Sequence, residues 1–320
     1  MILTIVLILI GYAILIKGAD YLVEGASSTA KKYNISNIAI GLTVVSMGTS
    51  TPELVVSLLA ALNGQSDASF GNVIGSNNFN LLFILGVSGA IYPLSVLRNT
   101  VKYEIPISLL AAMILFLLVN DIPLIQGDAA RLSRGDSALM LLFFLAFLFY
   151  VYRTMRNVSN PANDPEIKLH RISVSLGLIL LGIAMLVGGG KLVVDNAIAM
   201  AQHFGLSEKL IGLTILAVGT SLPELATSTV AAYRKNTDIA IGNVVGSNIF
   251  NIFFILGTTG LINPIVYNTA LNFDLFVLML STVLLIVFMF TLKKRKLDRA
   301  ESLIFLVIYI GYTIYLIGTD

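Results

Sequence analysis

The feature that most limits how this chain can fold is a segment that it carries twice. GLTVVSMGTSTPEL (Gly41–Leu54) and FGNVIGSNNFN (Phe70–Asn80) return 171 residues later as GLTILAVGTSLPEL (Gly212–Leu225) and IGNVVGSNIFN (Ile241–Asn251). The offset is the same at both ends, so no gap separates the copies. Glu53, Ser76 and Asn80 map onto Glu224, Ser247 and Asn251. Shared apolar composition would repeat Leu and Ile, but not GTSxPE and GSNxFN in register. The chain therefore reads as two related halves.

The surroundings of the repeat are apolar enough for lipid. The chain is 57% hydrophobic and 12% charged, with a mean hydropathy of +0.90, whereas soluble domains carry roughly 25% charged residues. This predicts an all-α polytopic membrane protein. Inside that setting, Gly48-Thr49-Ser50-Thr51-Pro52-Glu53 is out of place: it brings three hydroxyls, a proline and a carboxylate. Lipid tolerates such a run only where the protein interior uses it. The net charge of +2 gives no reason to expect nucleic acid, and nothing points to an obligate protein partner. Without cysteine there is no disulfide, thiolate metal site or cysteine nucleophile. His170 and His203 read as solvated surface residues rather than ligands, and no resident cofactor is expected. The N-terminal apolar run lacks a basic leader and reads as a first spanning helix.

A spanning helix needs about 20 mostly apolar residues. Ten segments qualify: 3–30, 37–62, 70–93, 104–119, 136–155, 172–201, 208–233, 241–263, 273–292 and 301–318. Basic residues follow every odd-numbered segment, among them Lys31, Lys32, Arg98, Lys102, Arg153, Arg171, Arg234, Lys235 and the run Lys293–Lys296. Arg131 and Arg134 are the main exceptions. The positive-inside rule makes those loops cytoplasmic and both termini extracellular, in a cell membrane. Five spans per half means that the second half enters from the opposite side. The expected architecture is two inverted repeats, 1–152 and 172–320, joined by a cytoplasmic linker over 153–171. Inverted repeats are a habit of secondary transporters, which bind their cargo at the midplane. Asp20, Glu24, Lys191 and Asp195 also fall at repeat-related positions. They are read as helix-end charges that snorkel or pair.

Pro52 removes a backbone donor and disfavours helix at Thr51, and Gly48 weakens the turn before it. A break over Thr49–Thr51 follows, with carbonyls such as that of Ser46 set free; Gly219 and Pro223 repeat it over Thr220–Leu222, with Ala217 in the place of Ser46. The donors that gather are all hard oxygens. Thr49, Ser50 and Glu53 come from one half and Thr220, Ser221 and Glu224 from the other, with Ser76, Asn80, Ser247 and Asn251 from the second motif. Oxygen-only coordination suits calcium or sodium and argues against copper or zinc. One calcium ion or two sodium ions neutralise two glutamates. An empty, ionised pair in the bilayer is costly.

These residues resemble the alpha-repeats of the sodium/calcium exchangers, within the cation/calcium antiporter superfamily, in a prokaryotic member. GTSTPE and GTSLPE are similar to the sodium/calcium branch; the proton/calcium branch carries a GN-x-x-E segment there. The resemblance implies an antiporter, not an enzyme, with calcium and sodium as cargo and lipid as its surroundings. It implies Glu53 and Glu224 as central calcium ligands, with backbone oxygens from Thr49 and Thr220. Ser50, Ser76, Ser221 and Ser247, with the carbonyls of Ser46 and Ala217, would form flanking sodium sites. Asn80 and Asn251 would face the centre. Some relatives, including potassium-dependent exchangers, have Asp at one of these positions. Asn at both removes a third carboxylate and weakens the case for potassium. The alternative is a proton-coupled calcium antiporter. An intramembrane acid–base enzyme is disfavoured by the symmetry of the acids, because acid and base need unlike environments. A passive channel does not need two carboxylates at a closed midplane.

Overall fold

The computed structural model describes residues 2–120, 130–155, 168–203 and 217–319. In chain order the helices are α1 (Ile2–Tyr33), α2 (Asn37–Thr49), α3 (Thr51–Leu62), α4 (Ser66–Ile91), α5 (Thr100–Val119), α6 (Arg134–Thr154), α7 (Ile172–His203), α8 (Ala217–Thr220), α9 (Leu222–Tyr233), α10 (Thr237–Ile262), α11 (Asn272–Phe288) and α12 (Arg299–Thr319). Among the described residues, eight helices are long and apolar enough to cross a membrane. The pair α2 and α3, bent by 48°, makes a ninth if it is one span. The expected span 208–233 begins outside the described residues, and α8 and α9 are its described part. The fourth span starts at Thr100 rather than at 104. Its first turn is a widened, π-helical one over the polar run TVKYE, which carries no apolar signal to reveal it.

α1 and α7 lie against each other along a seam of glycines. A Cβ at Gly18 would stand 3.0 Å from the Gly182 carbonyl, and one at Gly182 would stand 2.8 Å from the Gly18 carbonyl. Gly11 meets Gly189 in the same way, and Gly25 meets Ser175. As the number rises on α1 it falls on α7, so the two helices run antiparallel. Only small residues let backbones approach this closely in lipid. Of the Gly188–Gly190 run, Gly189 is the one at this seam.

α4 and α10 hold the centre: α10 is buried along nearly its whole length, whereas α12 is mostly exposed. The outer helices turn apolar side chains outward, for example Leu180, Leu280 and Val307, each more than two-thirds exposed. That surface suits hydrocarbon and not water.

The loops gather at two ends. At one, strand β1 (Leu94–Ser95) pairs antiparallel with a strand over Lys296–Leu297. Ser36 N–H donates to the Met155 carbonyl at 2.9 Å there, and Lys235 lies over the Tyr92 ring. At the other, β2 (Arg131–Leu132) pairs antiparallel with β3 (Ile265–Val266), Asn263 donates to the Ala61 carbonyl, and Asn268 donates to Asp67. Each of these contacts joins loops that the charge pattern assigns to one side.

The paired-charge reading of Asp20, Glu24, Lys191 and Asp195 agrees with their contacts. Arg234 bonds Asp20 and lies 3.4 Å from Glu24, and Lys191 lies 3.3 Å from Asp195. His170 is a correction. It is not a free surface residue: its Nε2 lies 2.8 Å from Glu24, and its N–H donates to Ser28. A loop that returns to pack on α1 leaves no local pattern in sequence. The side chain of His203 lies outside the described residues.

Candidate ion site

The two breaks form where the prolines require them. Ser50, at φ −82° and ψ 10°, separates α2 from α3, and Ser221, at φ −88° and ψ 8°, separates α8 from α9. Pro52 and Pro223 each sit in the first turn of the helix that follows, where a missing N–H does no harm. The freed carbonyl is not that of Ser46. It accepts the Ser50 N–H at 3.0 Å and faces the Thr49 hydroxyl at 3.3 Å. A proline at 52 withholds the donor that would serve Gly48, four residues back, which is why the expectation missed. Ala217 opens α8; its side chain lies outside the described residues.

Each broken helix serves the carboxylate of the other. The Ser50 hydroxyl donates to Glu224 Oε1 at 2.7 Å and lies 3.0 Å from the Ser247 hydroxyl. The Ser221 hydroxyl donates to Glu53 Oε1 at 2.9 Å and lies 3.0 Å from the Ser76 hydroxyl. Exchanging each residue for its counterpart 171 positions away turns one set of bonds into the other. All six side chains are buried, with Glu53 and Glu224 each 1% exposed. Glu53 and Glu224 therefore face one shared interior and not lipid.

Two asparagines that sequence reasoning passed over hold the breaks in shape. Asn243 accepts from the Thr49 hydroxyl at 3.1 Å and donates to Ser228 and to the Glu224 carbonyl. Asn72 does the same for Thr220, Ser57 and the Glu53 carbonyl. Thr49 and Thr220 thus turn their hydroxyl protons toward amide oxygens of the other repeated segment. The signal was present: these are the Asn of GNVIGS and GNVVGS, inside the segment that the chain carries twice. Gly242 and Gly246 of the second copy do allow close approach, with Cβ positions 2.9 Å from the Ile38 carbonyl and 2.7 Å from Leu42 Cα.

Asn80 and Asn251 sit at the start of widened π-helical turns, Phe79–Ile84 and Phe250–Leu256. Such turns inside α-helices are frequent at functional sites. Four oxygens of the site are buried with no hydrogen-bond donor: Glu53 Oε2, Glu224 Oε2, Asn80 Oδ1 and Asn251 Oδ1. They form two pairs related by the same offset. A buried acceptor left unpaired costs about 1–3 kcal/mol, and more when charged. Four such oxygens fit a hard cation, which supplies no proton and needs none.

The sequence and fold have close counterparts. The family model for the sodium/calcium exchanger protein matches residues 3–153 and 174–318. The putative antiporter CaxA of Alkalimonas amylolytica is 37% identical over 98% of both chains. The sodium/calcium exchanger MaX1 of Methanosarcina acetivorans is 30% identical over 97% of both. A solved structure of the sodium–calcium exchanger NCX_Mj superposes with a TM-score of 0.83 at 32% identity, covering 98% of this chain and 99% of that one. The duplicated motif, the paired acids and the match along both halves lead to one statement: this membrane protein belongs to the sodium/calcium exchanger family of ion antiporters.

Proposed function

We propose that the chain exchanges sodium for calcium across a cell membrane by alternating access, with both ions carried at the oxygen site between Glu53 and Glu224. The observation that carries this reading is the set of four buried oxygens without donors, two of them carboxylate. Glu53 and Glu224 are the central calcium ligands, with backbone oxygens from Thr49 and Thr220 and the carboxamide oxygens of Asn80 and Asn251. Ser50, Ser76, Ser221 and Ser247 line the flanks where sodium binds, together with the backbones at Ser46 and Ala217. Coordination by the Ser46 carbonyl requires its bonds with Ser50 and Thr49 to rearrange.

Two charges set the mechanism. A calcium ion or two sodium ions neutralise the glutamates, and an unfilled ionised pair is too costly to pass between access states. Sodium therefore displaces calcium by competing for the same oxygens, and binding one ion is coupled to release of the other. The halves 1–152 and 172–320 are taken as inverted five-helix repeats, with 153–171 as the linker. The antiparallel α1–α7 seam supports this, since those helices are counterparts under the offset. The same pair, packed backbone to backbone, is the candidate to slide as one body across the rest. The basic end is taken as cytoplasmic and both termini as extracellular.

The test is calcium flux in proteoliposomes with sodium, potassium and proton gradients imposed one at a time. Uptake driven by a sodium gradient at constant pH, with no need of potassium, is the expected result. Uptake driven only by a pH gradient would replace sodium by protons as the coupling ion.

A further inference from the structure

Asn77 and Asn248 stand 171 residues apart and bond to each other. Asn77 Nδ2 donates to the Asn248 carbonyl at 3.2 Å, and Asn248 Nδ2 donates to the Asn77 carbonyl at 3.3 Å. A backbone carbonyl only accepts, so each side chain must turn its NH2 group toward it. That leaves Asn77 Oδ1 and Asn248 Oδ1, also acceptors only, on the other side of each amide. Asn251 Nδ2 donates to the first at 3.0 Å, and Asn80 Nδ2 donates to the second at 3.0 Å. The direction of these outer bonds is dictated by the inner ones. Asn251 and Asn80 must offer their NH2 groups, and their Oδ1 atoms are the donor-free oxygens of the ion site. All four residues are at most 1% exposed, so water does not compete for these bonds.

An asparagine beside a cation has a right face and a wrong one: its oxygen attracts and its NH2 repels. We propose that Asn77 and Asn248 are positioning residues that, anchored on each other's backbone carbonyl, lock the carboxamides of Asn251 and Asn80 with oxygen toward the bound ion. The proposal rests on the ion-exchange reading of the site and adds residues to it that touch no ion themselves. It also gives a reason for amides at 80 and 251. A carboxylate at 251 would set an oxygen against Asn77 Oδ1, and the same holds for 80 and Asn248. The lock therefore favours a site with two negative charges over one with more.

The test is a double-mutant cycle on purified full-length protein, read as the half-saturating calcium chloride concentration in sodium-free buffer by calorimetric titration. Asn77→Leu keeps the volume but removes the acceptor, and it should raise that concentration about tenfold. Asn251→Asp alone should change it by less than about threefold, its gain in charge offset by the clash with Asn77 Oδ1. In the Asn77→Leu background, Asn251→Asp should return the affinity to at least the wild-type level, because a carboxylate presents oxygen whichever way it turns. Equal penalties from Asn77→Leu in both backgrounds would mean packing alone and would overturn the proposal. Where Asn77→Leu does not give a monodisperse protein, Asn248→Leu with Asn80→Asp makes the mirror cycle, and an additive result there overturns it equally. The wild-type titration keeps the two ideas apart. Absence of calcium binding by the wild type counts against the exchange reading itself, whereas binding with an additive cycle removes only the positioning role.

Discussion

Glu53→Gln or Glu224→Gln keeps the shape of the side chain and removes one of the two charges that balance a divalent ion. Taking one member from a buried, mutually compensating set of charges costs about 3–5 kcal/mol. Calcium flux should then fall by more than about 100-fold while circular dichroism and elution volume stay unchanged; normal flux from either variant would remove that acid from the site. The asparagines that support the breaks should behave differently. Asn243→Leu removes the bonds that Asn243 makes with the Thr49 hydroxyl, the Ser228 hydroxyl and the Glu224 carbonyl. At about 1–3 kcal/mol for a stranded group, a clear drop in melting temperature in detergent is expected, together with loss of flux. An unchanged melting temperature would show that those bonds do not hold the break. These two kinds of residue were not equally legible. A glutamate in an apolar run declares itself, because charge is rare there. Asn72, Asn77, Asn243 and Asn248 read as ordinary polar residues until the helices cross, since each acts on a partner far away in sequence.

Helices and their breaks were readable because their causes are local. Pro52 and Pro223 each stand two residues after the interruptions at Ser50 and Ser221. The carbonyl that loses its donor was countable too: Pro52 has no N–H for Gly48, four residues back, whereas the Ser46 carbonyl is bonded. The glycines of α1 and α7 recur at intervals of seven, but only contact identifies Gly11, Gly18, Gly182 and Gly189 as the seam. Gly182→Val should be disruptive there, because its Cβ would stand 2.7 Å from the backbone nitrogen of Leu22. Overpacking typically costs about 1–3 kcal/mol, and thermal melts should show it; an unchanged melting temperature would mean that the seam yields easily. Motion of α1 is a separate expectation. The chain has no cysteine, so Asp20→Cys with Arg234→Cys gives a clean pair for a bifunctional methanethiosulfonate, which joins α1 to the end of α9 through reducible disulfides. Bridging should stop exchange and reduction should restore it. Flux that persists in the bridged protein would mean that α1 does not move against that end of the core.

At the scale of the whole molecule, the constant offset of 171 made the duplication visible, and basic residues gave an expected sidedness. The contacts between loops were hidden, because two-residue strand pairs such as Leu94–Ser95 with Lys296–Leu297 leave no pattern in sequence. Those contacts nevertheless bear on sidedness. The first turn of α4, through Asp67, touches the loop before α11, through Asn268. The charge-rich loop over Lys293–Lys296 instead meets the loop after α4, where Val96 N–H donates to the Arg295 carbonyl at 2.8 Å. The two groups of loops must therefore lie on opposite faces of the membrane. By the positive-inside rule the face that carries the basic loops is the one expected in the cytoplasm. A single cysteine introduced as Lys294→Cys should be shielded from a membrane-impermeant maleimide in intact cells and labelled after permeabilisation. One introduced as Gln65→Cys should be labelled in both conditions. Labelling of both from outside would mean that these loops share a face, and the reverse pattern would invert the protein while leaving its ion site untouched.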